Sequence, residues 1–288
     1  MPITAEQRVA RRSCLGSSDM AAVLGVDPFR TAYDVWLEKT GRLTDTDTIG
    51  DKPAVKAGNM FEAGVLDYAQ ESLGMLRRNV HVEMSGTPLA ANIDAIVEQT
   101  GEPVEAKTVG LFHRTDEWWG DAGTDQVPDR VNVQAHVHLL CTDAKLCHVP
   151  AFIGGRGFVL FEIPRHTSIA DAVVAAAAEF WAKHVQADTP PTGSRASIQI
   201  IKLIRRTPEK IVNVPPELVA EWIEAKDAAK AAKMAAQRVE EDLLASLGDA
   251  EAGMCGELGA ITYYETTRKG YEVKETSYRT LRHKKKGL

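Results

Sequence analysis

Apolar residues in this chain recur at two spacings, and the switches between them mark out its elements. Met60, Phe61, Val65, Leu66 and Ala69 come at helical intervals and predict a helix over 58–73 with those side chains inward. Val133, Val137, Leu140 and Cys141 do the same in DRVNVQAHVHLLCT after Pro128, with Gln134 and His138 on the neighbouring stripe. Ile169, Val173, Ala176, Phe180 and Trp181 predict a helix over 167–187 capped by Thr167 or Ser168. Near the start, LGSSD followed by AAVLG predicts a short helix capped by Ser17, Ser18 or Asp19. A second begins at Asp27-Pro28 and ends near Gly41, with Tyr33, Trp36 and Leu37 on one face. Extended runs fall between: an edge strand from Leu76 to Met84, a hairpin over NIDAIVEQTGEPVEAK, and a second hairpin about Gly154-Gly155. The polar stretch 44–57 reads as a mobile loop, and 108–125 as an aromatic-rich loop or broken helix in which Trp118 and Trp119 are expected to be partly buried; exposed beside the site, they could also stack on bases.

The pattern changes after TPPTGS, which places a core domain at 1–190 and an appendage at 195–288. Leu218, Trp222, Ala225, Ala229, Ala232, Ala236, Val239 and Leu243 form a heptad-like seam on one long helix that ends at Gly248. A β pair over 257–274 and a basic tail, RTLRHKKKGL, close the chain.

The first hairpin carries the candidate chemistry. Glu105 and Lys107 project to the same side of their strand, because side chains alternate. A turn centred between Gln99 and Thr100 sets Asp94 opposite Glu105; one centred on Thr100-Gly101 sets it opposite Lys107. Either register gathers two carboxylates and an ammonium. Two close carboxylates repel unless one takes a proton or a cation joins them. A sparse set of oxygen ligands suits Mg²⁺, which keeps several waters, and a metal-activated water beside a lysine suits phosphodiester hydrolysis. A salt-bridged surface hairpin has the same sequence signature. Glu62 lies beside the apolar stripe of its helix and within reach of the hairpin acids. Arg11 and Arg12, close to a capped helix start, make a candidate phosphate site. His136 and His138 are two apart and do not share a helix face, which argues against a zinc site built on them.

Composition narrows the class. The 288 residues are 44% hydrophobic and 26% charged, those of a soluble globular protein, with no membrane-length apolar run and no signal-peptide pattern. Cys14, Cys141, Cys147 and Cys255 are too dispersed for a disulfide framework, and a cytoplasmic location is expected. The formal net charge of −6 disfavours a non-specific nucleic-acid coat protein and leaves room for a nuclease with local positive charge.

Four pieces in order resemble one family: RRSCLGSSDMAAVLGVDPFRTAYDVWLEKTGR, GNMFEAGVLDYA, the pair NIDAI and VEAKT, and VNVQAHVHLL followed by FVLFEI. They resemble the YqaJ-like viral recombinase family, relatives of lambda exonuclease, over roughly residues 8–187. The resemblance implies an α/β (α+β) PD-(D/E)xK, restriction-endonuclease-like core with a mixed central sheet flanked by helices, and a C-terminal helical and β appendage. It also implies that Asp94, Glu105, the Ala106 carbonyl and Glu62 hold Mg²⁺, or Mn²⁺ in its place, that Lys107 is the catalytic lysine, and that Arg11, Ser18 and Gln134 hold a 5′ phosphate. Asn92-Ile93 stands where the family commonly has proline, and Ala95 where glycine is expected.

The implied activity is 5′-to-3′ digestion of linear double-stranded DNA from its ends. It leaves 3′ single strands for a single-strand annealing protein, and the implied assembly is a homo-oligomer, a toroidal trimer in some relatives. The implied setting is the bacterial host cytoplasm of a phage-encoded protein. An endonuclease or resolvase on the same core and a catalytically silent DNA-end-binding protein are the alternatives. An iron–sulfur nuclease is disfavoured because its four clustered cysteines are not present in the sequence.

Overall fold

The structure, a computed structural model, describes residues 11–43, 53–110, 118–196, 198–201, 203–205, 207–265 and 267. Contacts divide the chain into two compact units, Met1–Arg206 and Thr207–Leu288. The first takes in residues 195–206 as well as the expected core, and Ile200 is buried in it.

A mixed sheet runs through the first unit. Strands β1 (Leu76–Glu83) and β2 (Ala90–Val97) pair antiparallel, and β2 pairs antiparallel with β3 (Pro103–Val104). Both β3 and β4 (Lys107–Val109) lie parallel to β5 (Leu146–Ile153), which pairs antiparallel with β6 (Gly157–Pro164). β3 and β4 are thus two pieces of one strand, interrupted at Glu105-Ala106, where the sequence predicts a continuous run.

Five principal helices flank the sheet: α1 (Ser17–Val23), α2 (Ala32–Lys39), α3 (Pro53–Leu73), α4 (Asp129–Thr142) and α5 (Thr167–Phe180), the last continuing through a π-type turn over Trp181–Gln186. A short turn of helix, α6 (Ile198–Ile201), follows. α4 is packed on two sides. Val133, Val137 and Leu140 face a core shared with α1, α2, α5 and β2, whereas Val131, Ala135 and Leu139 face β5 and β6. With both flanks covered, its polar residues Gln134, His136 and His138 are buried as well. α3 packs Leu66 and Ala69 against Ala95 and Val104 in a third cluster.

Several boundaries differ from the periodicity. α2 begins at Ala32 rather than Asp27-Pro28, because the Asp27 carboxylate accepts hydrogen bonds from the Phe29 and Arg30 amides (2.7 and 3.2 Å) and makes a local turn. Thr31 then caps the helix by accepting from Asp34 N at 3.2 Å, and the Asp34 carboxylate accepts from Thr31 N at 3.0 Å. α3 starts at Pro53, five residues earlier than expected, with proline at its first position. Met60 and Phe61, expected inward, are 81% and 52% exposed. Phe61 instead stacks on Phe152 at 5.7 Å. The N-cap of α5 is His166, whose carbonyl accepts from Ala170 N at 2.9 Å, rather than Thr167 or Ser168. Residues 44–52 of the expected loop lie outside the described residues.

In the second unit, α7 (Pro216–Leu247) is a helix of 32 residues with none buried, and Leu218, Val239 and Leu243 of the seam are exposed. It ends at Gly248 (φ 58). The following β7 (Ala252–Met254) pairs with β8 (Ala260–Thr262) through a turn in which Cys255 N donates to Gly259 O at 2.7 Å. Among the described residues the strand partner of the ITYY segment is upstream; the expected partner, GYEVK, lies outside the described residues. The basic tail lies outside the described residues.

Candidate active site

The central hairpin takes the first of its two possible registers. Ala95 pairs with Val104 and Ile96 with Pro103, which brings Asp94 level with Glu105. The turn is closed by Gly101 at φ 75, where a side chain would be strained, and by Val97 N donating to Glu102 O at 2.9 Å. At Glu105 the chain leaves β2, and Glu105 N donates to His148 O of β5 at 2.9 Å. The next amide, Ala106 N, donates to Asp94 Oδ2 at 2.8 Å. The interruption of the strand thus converts a ladder amide into a ligand for the first carboxylate.

Lys107 Nζ lies between two elements. It donates to Glu105 Oε1 at 2.5 Å and to Gln134 Oε1 of α4 at 2.7 Å. The other Glu105 oxygen, Oε2, is 3.6 Å from Nδ1 of the fully buried His138. Burial works against ionisation of Glu105, but Lys107 and then His138 outweigh it and hold the carboxyl below its usual range. Asp94 goes the other way. Burial, reinforced by the Glu105 charge and in smaller part by Glu62 of α3, pushes its carboxyl up to about 8 against the opposing influence of Lys107 and the Ala106 amide.

These side chains open on a cavity of about 410 Å³ whose lining includes Arg11, Ser18, Asp94, Glu105 and Gln134. Alternate residues of β2, Asn92 and Asp94, supply one wall, and His81, paired across from Asn92, extends it; His81 Nδ1 is 2.8 Å from Asn92 Oδ1. Every sequence-predicted site residue lies on this cavity or is in direct interaction with one that does: Lys107 through Glu105 and Gln134, Ala106 through its amide on Asp94, and Glu62 through its charge on Asp94.

A buried ionic group underlies the Arg11 and Ser18 side of the cavity. Asp19 accepts from Gly16 N (2.9 Å), Arg30 Nη1 (2.9 Å) and Lys39 Nζ (2.6 Å), and Lys39 Nζ also donates to Arg11 O at 2.6 Å. Despite full burial, Lys39 and Arg30 hold the Asp19 carboxyl well below its usual range. The sequence reading missed Lys39, because a lysine in a WLEKTG helix end reads as solvated. His138, placed by the sequence on the same stripe as Gln134 and read as a solvent or core histidine, is buried and lies against Glu105.

The donor set suits a hard cation. A carboxyl pushed up by burial and by a second carboxylate, with a third nearby, marks an oxygen site short of positive charge. Among the described residues no three His, Cys, Asp or Glu side chains by themselves close into a ligand set, so backbone oxygen and water would complete the shell of an ion held by Asp94 and Glu105.

Residues 8–145 match the family model of the YqaJ-like viral recombinase domain. The uncharacterized protein YqaJ of Bacillus subtilis (strain 168) is 26% identical over 267 residues, spanning 87% of this chain and 80% of that protein. The solved structure of LHK-Exo in complex with dAMP is similar with a TM-score of 0.50 at 15% identity, covering 64% of this chain and 94% of that one. A second structure of that protein, described as an alkaline exonuclease from Laribacter hongkongensis, has a TM-score of 0.49 at the same identity and coverage. The LHK-Exo complex shares the fold, a mixed α/β arrangement with helices on both sides of a mixed sheet.

Proposed function

Because residues 8–145 match the model of the YqaJ-like viral recombinase domain, we propose that the chain is a member of that family and a divalent-metal-dependent deoxyribonuclease that digests linear double-stranded DNA 5′-to-3′. The observation that carries this reading is Lys107 Nζ fixed between Glu105 and Gln134, which line a cavity together with Asp94, Arg11 and Ser18.

Asp94 and Glu105, with the Ala106 carbonyl and Glu62 in support, would hold Mg²⁺, for which Mn²⁺ would substitute. Bound there, the ion supplies an activated water and offsets charge at the phosphoryl oxygen. The chain's own residues do the rest. Lys107 orients the attacking water and is itself aimed by Glu105 and Gln134. Arg11 and Ser18 grip a terminal 5′ phosphate, the guanidinium as a charged fork and the hydroxyl as a donor. With Gln134 Oε1 committed to Lys107, the donor that Gln134 has for the same phosphate is Nε2. A grip on the 5′ end fixes which strand is cut and in which direction.

The product of such an enzyme is a 3′ single strand, whose natural recipient is a single-strand annealing protein. Assembly as a homo-oligomer, a trimer as in toroidal relatives, and action in the cytoplasm complete the reading. Among the described residues no helix is long and apolar enough to cross a membrane. The domain that performs the chemistry is residues 1–190, with 195–288 as an appendage.

The test is digestion of linear duplexes bearing 5′ phosphate or 5′ hydroxyl with Mg²⁺, beside a closed circle and the Lys107→Ala variant. Loss of the 5′-phosphorylated linear substrate, absent in the variant, is the expected result. Cutting of the circle would make it an endonuclease, and end binding without nucleotide release would make it a binding protein.

A further inference from the structure

A recess outside the cavity above is lined by Val26, Pro28, Trp118, Val127, Pro128 and Arg130 and has a volume of about 310 Å³, with Asp129 on its rim. Trp118 is 65% exposed, and so is much of Phe29, over which the Arg130 guanidinium lies at 5.8 Å from the ring centroid. The indole is presented from an anchored backbone. Its neighbour Trp119 is 6% exposed and packs on Phe161 at 5.3 Å, and Arg156 donates to the Trp119 and Gly120 carbonyls at 2.8 and 2.7 Å. A large aromatic face held open on a fixed support, with a guanidinium beside it, has the composition of a surface on which a base stacks while its phosphate is neutralised.

The recess and the site draw on the same helix. Arg130 and Gln134 are one turn apart on the same stripe of α4, and Gln134 holds Lys107. The space also sets the occupant: a few hundred cubic ångströms hold a nucleobase, whereas a docking helix needs a long groove.

We propose that this recess is a stacking site for an unpaired DNA nucleotide, with its base on Trp118 and Phe29 and its phosphate on Arg130, leading to or from the cavity of Asp94 and Glu105. This rests on the nuclease reading of that cavity for its place in the reaction. It makes the recess the part of the protein that recognises single-stranded DNA, distinct from the grip on the 5′ phosphate.

The test uses the full chain in chelator, with fluorescent oligothymidylate and a blunt duplex of equal length as probes for anisotropy, and digestion of linear duplex with Mg²⁺ in parallel. Trp118→Ala is expected to weaken oligothymidylate binding about tenfold, in line with loss of one stacked base, while Trp118→Phe stays close to the parent. Blunt-duplex binding is expected to change less than about twofold. Arg130→Ala is expected to lower affinity and flatten its salt dependence. Unchanged oligothymidylate binding in Trp118→Ala, equal loss in Trp118→Phe, or equal loss on blunt duplex would each overturn the stacking site. If the parent digests duplex while Trp118→Ala binds the oligonucleotide normally, the stacking site falls and the nuclease stands. If the parent digests nothing while Trp118→Ala still loses oligonucleotide affinity, the nuclease reading falls and the stacking site stands.

Discussion

Lys39 Nζ lies 2.6 Å from Asp19 Oδ2 with both side chains fully buried, and the same nitrogen donates to the Arg11 carbonyl at 2.6 Å. A pair of charges taken out of water is stable only while both members remain. This one links α1, α2 and the turn that carries Arg11, so the position of Arg11 depends on a lysine two elements away.

Lys39→Met leaves Asp19 with Arg30 alone and releases the Arg11 carbonyl. The expected loss is about 3–5 kcal/mol of folding stability, the range for breaking one side of a buried ion pair. Urea unfolding of the variant checks it. In the fraction that remains folded, discrimination between 5′-phosphate and 5′-hydroxyl duplexes should fall. A variant as stable as the parent would show that the pair is dispensable.

Lys107→Ala should lower DNA cleavage by at least about 100-fold, the low end of what a positioned proton-handling group contributes. Gln134→Ala should lower it less, since Glu105 still holds Lys107, and should also raise KM for 5′-phosphorylated ends. Single-turnover rates on one labelled duplex separate the two effects. Equal losses in both variants would place Gln134 on Lys107 alone.

Asp94 and Asp19 give opposite pH dependences. Asp94, raised to about 8 chiefly by burial and by Glu105, binds its proton more tightly folded than unfolded. Without divalent cation its contribution is fully present below the unfolded value near 4, and is lost as pH rises toward about 8. Asp94→Asn should flatten that decline. Because a cation must displace this proton, the Mg²⁺ affinity of the parent should rise with pH up to about 8 and then level. Asp19, held low by Lys39 and Arg30 despite its burial, contributes stability above the unfolded carboxyl value that is lost as pH falls below it. Melting temperatures from pH 3 to 9, with and without Mg²⁺, check both.

A fragment ending at Arg206 should fold. The contact division falls there, and α7 buries none of its 32 residues. The fragment should unfold in one cooperative transition and keep the Lys107–Gln134 arrangement, read as metal-dependent cleavage. Aggregation of the fragment would show that the second unit covers part of the first.

The grouping of the candidate residues was legible because it is local. Asp94, Glu105 and Lys107 lie within one hairpin, whose short turn leaves two registers, and the Ala95–Val104 pairing is one of them. Gln134 and Glu62 were found because each sits on or beside an apolar helix stripe. What escaped was decided by contacts distant in sequence. The break at Glu105-Ala106 is imposed by β5, which takes the Glu105 amide. Phe61 was read as core from its spacing, but α3 turns it outward to stack on Phe152 of a strand some ninety residues later. Asp27-Pro28 looked like a helix start until the Asp27 carboxylate was seen holding the Phe29 and Arg30 amides. Lys39 looked solvated because nothing in its neighbours announces the buried carboxylate that receives it.

The amide of Ala106 leaves the ladder and gives its proton to the Asp94 carboxyl. A hydrogen bond to an ionised oxygen is stronger than one to a neutral acid. The lifetime of that single proton against exchange with solvent therefore follows the state of Asp94: longest when the carboxylate is bare, shorter when it is protonated or shared with a cation. Its neighbour Thr108 sits in the ordinary ladder and provides an internal reference. The sheet carries a built-in gauge of its own active site, readable by nuclear magnetic resonance without substrate or label.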